Sequence, residues 1–298
     1  ARIGPLFKAF APDIVIHAAA LKHVPYLEAD WGEGIKTNIF GSVTVTEPAI
    51  AAGAGIFVMI STDKAIEPVS MLGATKRFAE MYAQARDAEF AAGNRGMRLV
   101  AVRFGNVLGS VGSVVPKFKA QIERGGPVTV TSPDMIRYFM TIREACDLVL
   151  SAASHAPEHD AADDRAAVYV LKMGQPLKII DLAERMIRLA GYEPGTDIEI
   201  AVTGVRPGER LNEILFAKDE PMAETGLDGV MAAKPIFAGR ERMLAWLEEL
   251  ERAVAAHDRR GAEAVLDEAI PDFRLRQPAT PPDAPAQLSS PAAAASQR

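Results

Sequence analysis

Three short apolar segments alternate with two longer helical segments over the first third of the chain, and this alternation constrains the fold more than any other feature. The apolar segments are Ile14–Ile16, Ile56–Ile60 and Leu99–Val102, and each has the continuous apolar character of a strand buried on both faces. The segments between them, Glu33–Ala52 and Gly73–Ala92, have the composition of helices. A strand–helix repeat of this spacing predicts right-handed crossovers and an α/β fold with a doubly wound parallel, Rossmann-like sheet.

The rest of the chain predicts a smaller, mixed α/β part. In chain order we predict a strand at Val128–Thr131, a helix at Arg143–Ala153, a strand at Val168–Leu171, a helix at Leu177–Ala190, a strand at Ile198–Val202 and a helix at Glu241–Ala256. Pro48 is expected to kink the first helix of the chain or to end it early. From Pro271 onward the residues are mainly Pro, Ala, Ser and Gln, so we expect a disordered tail over residues 271–298.

Composition excludes several classes of function. The 33 Lys and Arg residues against 39 Asp and Glu residues give a net charge of −6, which disfavours a broad basic surface for nucleic acid. Cys146 is the single cysteine, so an internal disulfide and a cysteine-rich zinc site are excluded and a reducing, cytoplasmic location is expected. None of the five histidines lies in an HExxH motif, so a histidine-based metal centre is poorly supported. The sequence has no apolar run of about 18 residues that would predict a membrane span.

Ser61-Thr62-Asp63-Lys64 follows the second predicted strand directly, and Lys76 lies twelve residues further on, in the next helix. Ligands of doubly wound sheets bind at the carboxyl ends of the strands. An acid and an amine side by side at such an end can protonate a leaving group and remove a proton in one site. The alternative, a solvated turn with a surface ion pair, fits the spacing equally well.

A glycine-rich turn for a dinucleotide is absent from the positions where it is expected. Gly53-Ala54-Gly55 precedes a strand instead of following one, and the glycines between Gly105 and Gly112 have the wrong spacing. The pattern GxGxxG after the first strand is the usual sign of a dinucleotide site. The residues alone therefore do not indicate that the chain binds NAD.

A series of motifs, in order, carries a resemblance to a known family. The motifs are His17-Ala18-Ala19-Ala20-Leu21-Lys22-His23-Val24-Pro25, Thr37-Asn38, Ser61-Thr62-Asp63-Lys64-Ala65, Gly73-Ala74-Thr75-Lys76-Arg77, Arg103-Phe104-Gly105-Asn106-Val107-Leu108-Gly109-Ser110, Gly112-Ser113-Val114-Val115-Pro116, Met135-Ile136-Arg137-Tyr138-Phe139-Met140 and Arg206-Pro207-Gly208-Glu209. Over about residues 10–237 the chain resembles the CapD-type polysaccharide-biosynthesis branch of the extended short-chain dehydrogenases, the UDP-N-acetylglucosamine 4,6-dehydratases.

This resemblance implies a lyase that converts UDP-N-acetylglucosamine to a UDP-4-keto-6-deoxy sugar for surface polysaccharide, with NAD or NADP as cofactor. It implies a partial NAD(P)-binding region over residues 1–110 and a substrate-binding, closing region over residues 111–270 that is interleaved with the last sheet strands. The expected partner is the UDP-sugar substrate, and a parent protein is expected to be a homo-oligomer and to be attached to the inner membrane. The alternatives are a nucleotide-sugar epimerase on the same scaffold and a non-catalytic fragment.

The same resemblance assigns the chemistry. Asp63 would be the acid at the C6 hydroxyl, Lys64 the base at C5, and Lys76 would hold the nicotinamide ribose. In ordinary dehydrogenases a tyrosine lies four residues before this lysine and takes the hydroxyl proton, whereas Leu72 lies there in this chain. Long members of the family resemble this in having methionine at that position, and Thr62 or Asp63, through water, would take the tyrosine's role.

Other site residues also follow from the resemblance. The cofactor side would include His17, Ala18, Ala19, Ala20, Lys22, Asn38 and Ser61 in addition to Lys76, and the substrate side His23, Asn106, Arg137, Arg206 and Glu209. His17 has the alternative of a satisfied strand-end histidine, and Asn38 is expected to brace the sheet more than to react. Arginine suits a diphosphate because its planar guanidinium donates paired, charged hydrogen bonds.

The resemblance also implies that about three strands precede the strand at Ile14 and that the first of them carries the glycine-rich turn. Without them, the strand at Ile14 is expected to be an apolar, exposed edge. We expect the chain to be a fragment of a longer protein and to show no dehydratase turnover by itself.

Overall fold

The computed structural model describes residues 2–93, 96–158, 167–217 and 220–274. Its strands are β1 (Ile14–His17), β2 (Ile56–Ile60), β3 (Arg98–Arg103), β4 (Asn106–Val107), β5 (Val128–Val130), β6 (Ile136–Met140), β7 (Val168–Leu171), β8 (Pro176–Lys178), β9 (Ile200–Val202), β10 (Met222–Glu224) and β11 (Val230–Ala233). Its α-helices are α1 (Ile3–Phe10), α2 (Val24–Ala29), α3 (Trp31–Gly34), α4 (Gly41–Ala51), α5 (Met71–Ala92), α6 (Val114–Glu123), α7 (Ile142–Glu158), α8 (Ile179–Leu189), α9 (Arg240–Ala255) and α10 (Arg259–Ala269).

The main sheet has six strands in the order β1-β2-β3-β7-β11-β10. The first four strands run parallel, β11 pairs antiparallel with β7, and β10 pairs antiparallel with β11. Successive residues of β2 point into two different apolar cores, Phe57 with residues of α4 and α5, and Val58 with residues of α7. Helices therefore cover both faces of the sheet, and the prediction of a doubly wound, Rossmann-like α/β fold is confirmed.

A smaller part lies beyond the carboxyl ends of the main strands. It contains a three-stranded sheet in the order β4-β6-β8 and a two-stranded parallel sheet of β5 and β9. Helices α6 and α8 pack on it around an apolar core of their own, which includes Phe118, Val128 and Ile187. Because β4 follows β3 after two residues and pairs with β6, this part is held directly beside the strand ends.

The strand β1 is the edge of the main sheet, as expected. Within the described ranges it pairs with β2 alone, and Ile14 and Ile16 are 58% and 45% exposed.

No helix in the described ranges is both long enough and apolar enough to cross a bilayer.

The first predicted long helix differs from its expected form. Residues Ile35–Phe40 are π-helical, and α4 then continues through Pro48 to Ala51, so the expectation of an early end was wrong. Proline removes one helical hydrogen bond. Ala49, next to it, is fully buried, and tertiary packing of this kind outweighs the local cost.

Several elements of the second half were missed or misplaced. The sequence reading did not include α6, α10, β10 or β11, and α8 begins at Ile179 because the preceding residues form β8. The predicted tail was wrong for its first residues: Phe273 is 2% exposed, and the Arg274 backbone N–H donates to the Pro68 carbonyl at 2.9 Å. The remainder of the predicted tail, 275–298, lies outside the described residues.

The carboxyl-terminal pair α9 and α10 explains the long buried helix α5. Phe78 and Tyr82 of α5 pack in one apolar core with Trp246 of α9 and Leu266 of α10. This cover fixes α5 from outside while its opposite face lies on the sheet. The helix that carries Lys76 is thus held on two sides.

Candidate active site

A tight turn at the carboxyl end of β2 positions the central residues. Residues Asp63–Ala65 form one turn of 3-10 helix, capped by the Thr62 side chain. The Asp63 backbone N–H donates to the Phe104 carbonyl at 3.2 Å, which ties the turn to the end of β3. A Cβ at Gly73 would overlap the carbonyl oxygen of Lys64, so glycine allows α5 to begin against this turn.

Asp63 and Lys64 form a charged pair that is largely removed from solvent. Lys64 Nζ lies 3.0 Å from Asp63 Oδ1, and the two side chains are 22% and 2% exposed. Thr62 Oγ1 donates to the same carboxylate oxygen at 2.9 Å. The second oxygen, Asp63 Oδ2, is buried and has no hydrogen-bond partner, and a Cβ at Gly105 would lie 2.9 Å from it.

The alternative of a solvated turn therefore does not describe this pair, because both partners are largely buried. A buried carboxylate with an unused oxygen costs free energy. Such unsatisfied groups concentrate at sites that bind or react.

Glu213 also contacts Lys64, and the sequence reading missed it. Its Oε1 lies 3.2 Å from Lys64 Nζ and 3.3 Å from Arg137 Nε. Burial alone would lower the pKa of Lys64, but the carboxylates of Asp63 and Glu213 outweigh burial and raise it. A lysine that acts as a base needs a lowered pKa, so the pKa of Lys64 is shifted in the direction opposite to the one that its role by resemblance requires. We call Asp63, Lys64, Arg137 and Glu213 the open cluster, because Asp63 Oδ2 has no hydrogen-bond partner and the other three members line the cavities described next.

Two cavities meet at Lys64 and Asn106. The inner cavity, of about 360 Å³, lies along the ends of β2 and β3, and its size is that of a small-molecule pocket. Its lining includes Ala18, Ala20, Lys22, His23, Thr62 and Lys76. The outer cavity, of about 180 Å³, is lined by Arg137, Glu209, Arg210 and Glu213 among others.

Lys76 and Leu72 lie one helical turn apart in the wall of the inner cavity. Lys76 Nζ donates to the Ile60 carbonyl at 2.9 Å. Burial lowers the pKa of Lys76 to about 8, although the nearby Glu80 carboxylate opposes this. The Leu72 side chain is buried and supplies no proton-transfer group.

His17 does not line either cavity. Its Nε2 lies 3.2 Å from Ser42 Oγ, and its ring packs beside Phe57. Burial, together with the positive charge of Lys76, lowers the pKa of His17 to about 4. Its position is that of the satisfied strand-end histidine that was kept as an alternative.

Asn38 uses its amide on the protein. Its Oδ1 accepts from the Leu21 backbone N–H at 2.9 Å, and its Nδ2 donates to the Leu21 carbonyl at 3.0 Å and to Thr75 Oγ1 at 3.1 Å. These bonds fix the loop that presents Ala20 and Lys22 to the cavity. Ala19, between them and β1, is exposed and does not line the cavity.

The substrate-side residues divide in the same way. Asn106 and Glu209 line the outer cavity, whereas the exposed Arg206 does not. Arg206 lies near Lys117, whose pKa is lowered by partial burial and by the Arg206 charge. Lys117 was also missed, and no motif in the sequence points to it.

Ser61 lines the inner cavity, but its hydroxyl is bonded to a second charge cluster. Its hydroxyl donates to Glu80 Oε1 at 2.5 Å, and Arg103 donates to both Glu80 oxygens, at 2.8 and 2.6 Å. Arg77 adds a second cation, at 3.3 Å from Glu80 Oε2, and Glu220 pairs with Arg103 at 2.7 Å.

We call Arg77, Glu80, Arg103 and Glu220 the closed cluster. Burial would raise the pKa of Glu80, but Arg103 and Arg77 outweigh it and lower the pKa. Glu80 is therefore an anion with its hydrogen bonds satisfied.

The inner cavity fits the nicotinamide half of a dinucleotide. Small alanine side chains leave one wall open, and Lys76 supplies an ammonium group. Ser113 Oγ is buried at the same cavity without a hydrogen-bond partner, so it is available to a ligand. No glycine-rich pyrophosphate turn occurs among the described residues.

Comparison with known proteins identifies relatives in polysaccharide synthesis. A family model described as "Polysaccharide biosynthesis protein" matches residues 1–235. The capsular polysaccharide biosynthesis protein CapD of Staphylococcus aureus is 51% identical over 219 residues, which are 74% of this chain and 35% of that protein. The probable polysaccharide biosynthesis protein EpsC of Bacillus subtilis is 45% identical over 248 residues, 82% of this chain and 39% of that protein. The chain thus spans little more than a third of the length of either relative.

More distant relatives carry two different activities in their names. The UDP-N-acetylglucosamine 4,6-dehydratase (inverting) of Campylobacter jejuni is 34% identical over 226 residues, 75% of this chain and 62% of that protein. The UDP-glucose 4-epimerase of Rickettsia akari is 33% identical over 217 residues, 73% of this chain and 60% of that protein.

Solved structures agree on the fold. Pen from Bacillus thuringiensis has a TM-score of 0.65 at 35% identity, covering 76% of this chain and 68% of that chain. The dTDP-glucose 4,6-dehydratase DesIV of Streptomyces venezuelae, solved with NAD and TYD bound, has a TM-score of 0.61 at 20% identity, covering 88% and 79%. At that identity the second likeness concerns the fold alone.

Proposed function

The chain belongs to the family of polysaccharide biosynthesis proteins, and from this premise we propose that it forms the active centre of an NAD(P)-dependent 4,6-dehydratase acting on UDP-N-acetylglucosamine. Its relatives include nucleotide-sugar dehydratases and epimerases. The proposed product is a UDP-4-keto-6-deoxy sugar used for surface polysaccharide.

The observation that carries this proposal is the position of the Asp63–Lys64 pair. Lys64 of this pair lines both a cavity that fits the nicotinamide half of a dinucleotide and a second cavity at residues 208–213. Oxidation and reduction alone require no such pair. Elimination of water requires an acid and a base close together, and these two side chains are 3.0 Å apart.

A nicotinamide cofactor bound in the inner cavity would supply the oxidation at C4 and the reduction at C6. The elimination needs Lys64 as the neutral amine, after loss of its proton to solvent, and Asp63 as the carboxylic acid, which it becomes by taking the proton of the C4 hydroxyl. The amine then removes the C5 proton, that C–H electron pair forms the C5=C6 bond, and the C6–O bond breaks as Asp63 protonates the oxygen to give water. Lys64 returns its proton to C5 during the reduction at C6, and the C4 hydroxyl proton has left in the water, so the proton count balances.

The proton of the C4 hydroxyl needs an acceptor other than the usual tyrosine, because Leu72 lies at that position and provides none. Thr62 Oγ1 is hydrogen-bonded to Asp63 Oδ1 at 2.9 Å and lines the inner cavity. We propose that the hydroxyl proton reaches Asp63 through Thr62 or a water molecule. Lys76, whose pKa burial lowers to about 8, would hold the nicotinamide ribose.

The choice between NAD and NADP, the homo-oligomeric state, the cytoplasmic location and the attachment of a longer parent to the inner membrane remain predictions.

The test is a product assay on a chain long enough to turn over the substrate. We expect UDP-N-acetylglucosamine to lose one water, which mass spectrometry detects as a decrease in mass. The product should also carry a keto group that reacts with hydroxylamine. An isomer of unchanged mass would instead support the epimerase alternative, which the nearly equal identity to an epimerase favours. Bound nucleotide sugar without either product would overturn both and support the non-catalytic alternative.

A further inference from the structure

Arg137 holds the segment that carries Glu213. Its guanidinium donates to the backbone carbonyls of Ile136, Arg210 and Leu211 at 2.8, 2.8 and 3.0 Å. The Ile136 backbone N–H also donates to the Leu211 carbonyl at 2.9 Å. Arg137 therefore uses most of its N–H groups within the protein, and it fixes residues 210–213 against β6 before any ligand binds.

This arrangement brings Glu213 to Lys64. The Glu213 side chain is 5% exposed, and its Oε1 is shared between Lys64 Nζ and Arg137 Nε. The charged groups that face Lys64 are Asp63 beside it on the same turn and, from the smaller part of the fold, Glu213 and Arg137. Two carboxylates thus surround one ammonium group, although the elimination itself needs only the one on Asp63.

The extra carboxylate acts against the base. An anion within hydrogen-bond distance favours the charged form of an amine. Loss of the Lys64 proton would leave a neutral amine beside Glu213, and this loses the ion pair at 3.2 Å. Glu213 lines the outer cavity together with Lys64, so a ligand that enters there meets this ion pair.

We infer that Glu213 is a positioning residue that keeps Lys64 in its ammonium form in the unliganded site, and that a nucleotide sugar must loosen this ion pair before Lys64 can act as a base. The second half of the inference rests on the proposed function. The first half concerns the chain alone and is tested without substrate.

The first test measures the basicity of Lys64 directly. Trace acetic anhydride modifies only unprotonated amines, and mass spectrometry of the Lys64 peptide over a pH series gives the labelling rate at that residue. In Glu213→Gln we expect the pKa of Lys64 to fall, because one of the anions that favour the charged amine is removed, and labelling should become about tenfold faster at a pH below the pKa. Glu184→Gln is the matched control, because it makes the same change in a surface ion pair with Arg188, and it should leave the rate unchanged.

Equal Lys64 labelling in folded Glu213→Gln and in the unaltered chain would overturn the inference. Circular dichroism reports whether the variant is folded. If it is not, Glu213→Asp keeps the charge but withdraws it by one methylene group, and we expect an intermediate labelling rate. An unaltered rate in that variant would overturn the inference as well.

The second test uses a chain that turns over and follows exchange of the C5 proton with deuterium from heavy water. Glu213→Gln should move the acidic limb of the pH–rate profile to lower pH, because the base loses its proton more easily. A merely structural residue would lower the rate without moving that limb, and this result would overturn the positioning role. Absence of any exchange in the unaltered enzyme would instead contradict the proposed dehydratase, while leaving the labelling result to decide the role of Glu213.

Discussion

Two buried charge clusters lie at the carboxyl end of β2, and each accepts a hydrogen bond from one of two adjacent hydroxyl groups. Ser61 donates to Glu80 in the closed cluster, and Thr62 donates to Asp63 in the open cluster. In the closed cluster both Glu80 oxygens accept from Arg103. In the open cluster Asp63 Oδ2 has no partner, and Lys64 lines two cavities.

The comparison separates a structural use of buried charge from a chemical one. A buried network whose groups are all satisfied makes a region rigid, whereas a partly satisfied network costs stability and is retained where it binds or reacts. We therefore expect substitutions in the closed cluster to lower stability and substitutions in the open cluster to lower activity. Each prediction below can break this division or make it sharper.

The largest effect is expected for Lys64→Ala in a chain that turns over. Loss of a general base typically lowers the rate by about 10²–10⁴, so elimination should stop while some oxidation at C4 continues and reduced cofactor accumulates. Deuterium incorporation at C5 measures the missing step. Exchange at the unaltered rate in Lys64→Ala would transfer the role of base to Asp63 or His23.

Asp63→Asn is the companion variant and should give a different pattern. Asp63 serves as the acid at C6. It also takes part in the transfer of the C4 hydroxyl proton, because Leu72 lies where other dehydrogenases have a tyrosine. Both cofactor reduction and product should therefore fall. Normal cofactor reduction in this variant would show that another group takes the C4 proton.

The next effect is on stability, for Glu80→Gln in the closed cluster. Removal of one partner from a buried ion pair costs about 3–5 kcal/mol, because Arg103 and Arg77 lose their compensating charge. Chemical denaturation measures the change in the free energy of unfolding. Glu89→Gln on the same helix α5 is the control, since it alters a more exposed pair with Arg86 that is expected to contribute less than about 1 kcal/mol.

A cost near that of the control would contradict the structural role of the closed cluster. The same variants also test the division between clusters from the other side. Lys64→Ala should change the free energy of unfolding by less than Glu80→Gln does, and a reversed order would break the comparison.

Sequence reasoning predicted the sheet and the strand-end residues but not the partners that set their chemistry. Residues 61–64 follow β2 directly along the chain, so local pattern was enough to place Asp63 and Lys64. Glu213 reaches Lys64 from a distant loop, and no local pattern records that contact. For the same reason the resemblance placed Arg137 at the substrate, whereas its guanidinium is largely used to hold residues 210–213.

The limits of local pattern also explain the errors in the fold. Pro48 interrupts a helix locally, but the burial of its neighbours decides the outcome. Phe273 lies in a stretch of low-complexity composition, yet it joins the core formed by α5, α9 and α10. In both cases a contact far away in the chain outweighs the local preference.

A smaller effect is a pH dependence of stability that comes from Lys76. Its folded pKa of about 8 lies below the ordinary lysine value of 10.5, so between these values the unfolded chain binds the proton that the folded chain has released. Stability should therefore rise with pH across this window, by up to about 1.4 kcal/mol per pH unit. Denaturation of the unaltered chain and of Lys76→Met over a pH series gives the difference, and parallel curves for the two proteins would contradict it. Because Glu80 opposes the lowered pKa, Glu80→Gln should shift the window to lower pH.

The smallest expected effect is also the most closely matched, because it compares Ser61→Ala with Thr62→Val. Each variant removes one hydroxyl that donates to a buried carboxylate, at 2.5 Å for Ser61 and 2.9 Å for Thr62. A hydrogen bond to a charged group contributes about 1.5–3 kcal/mol. Ser61→Ala should lose a large part of this in the free energy of unfolding and keep its turnover, since the Ser61 hydroxyl is bonded to Glu80, which lines neither the inner nor the outer cavity. Thr62→Val should lose less stability, because Lys64 still pairs with Asp63, but it should slow cofactor reduction, since the path from the C4 hydroxyl to Asp63 is broken.

If Ser61→Ala slows cofactor reduction as much as Thr62→Val does, the closed cluster takes part in the chemistry, and the division between the two clusters is wrong.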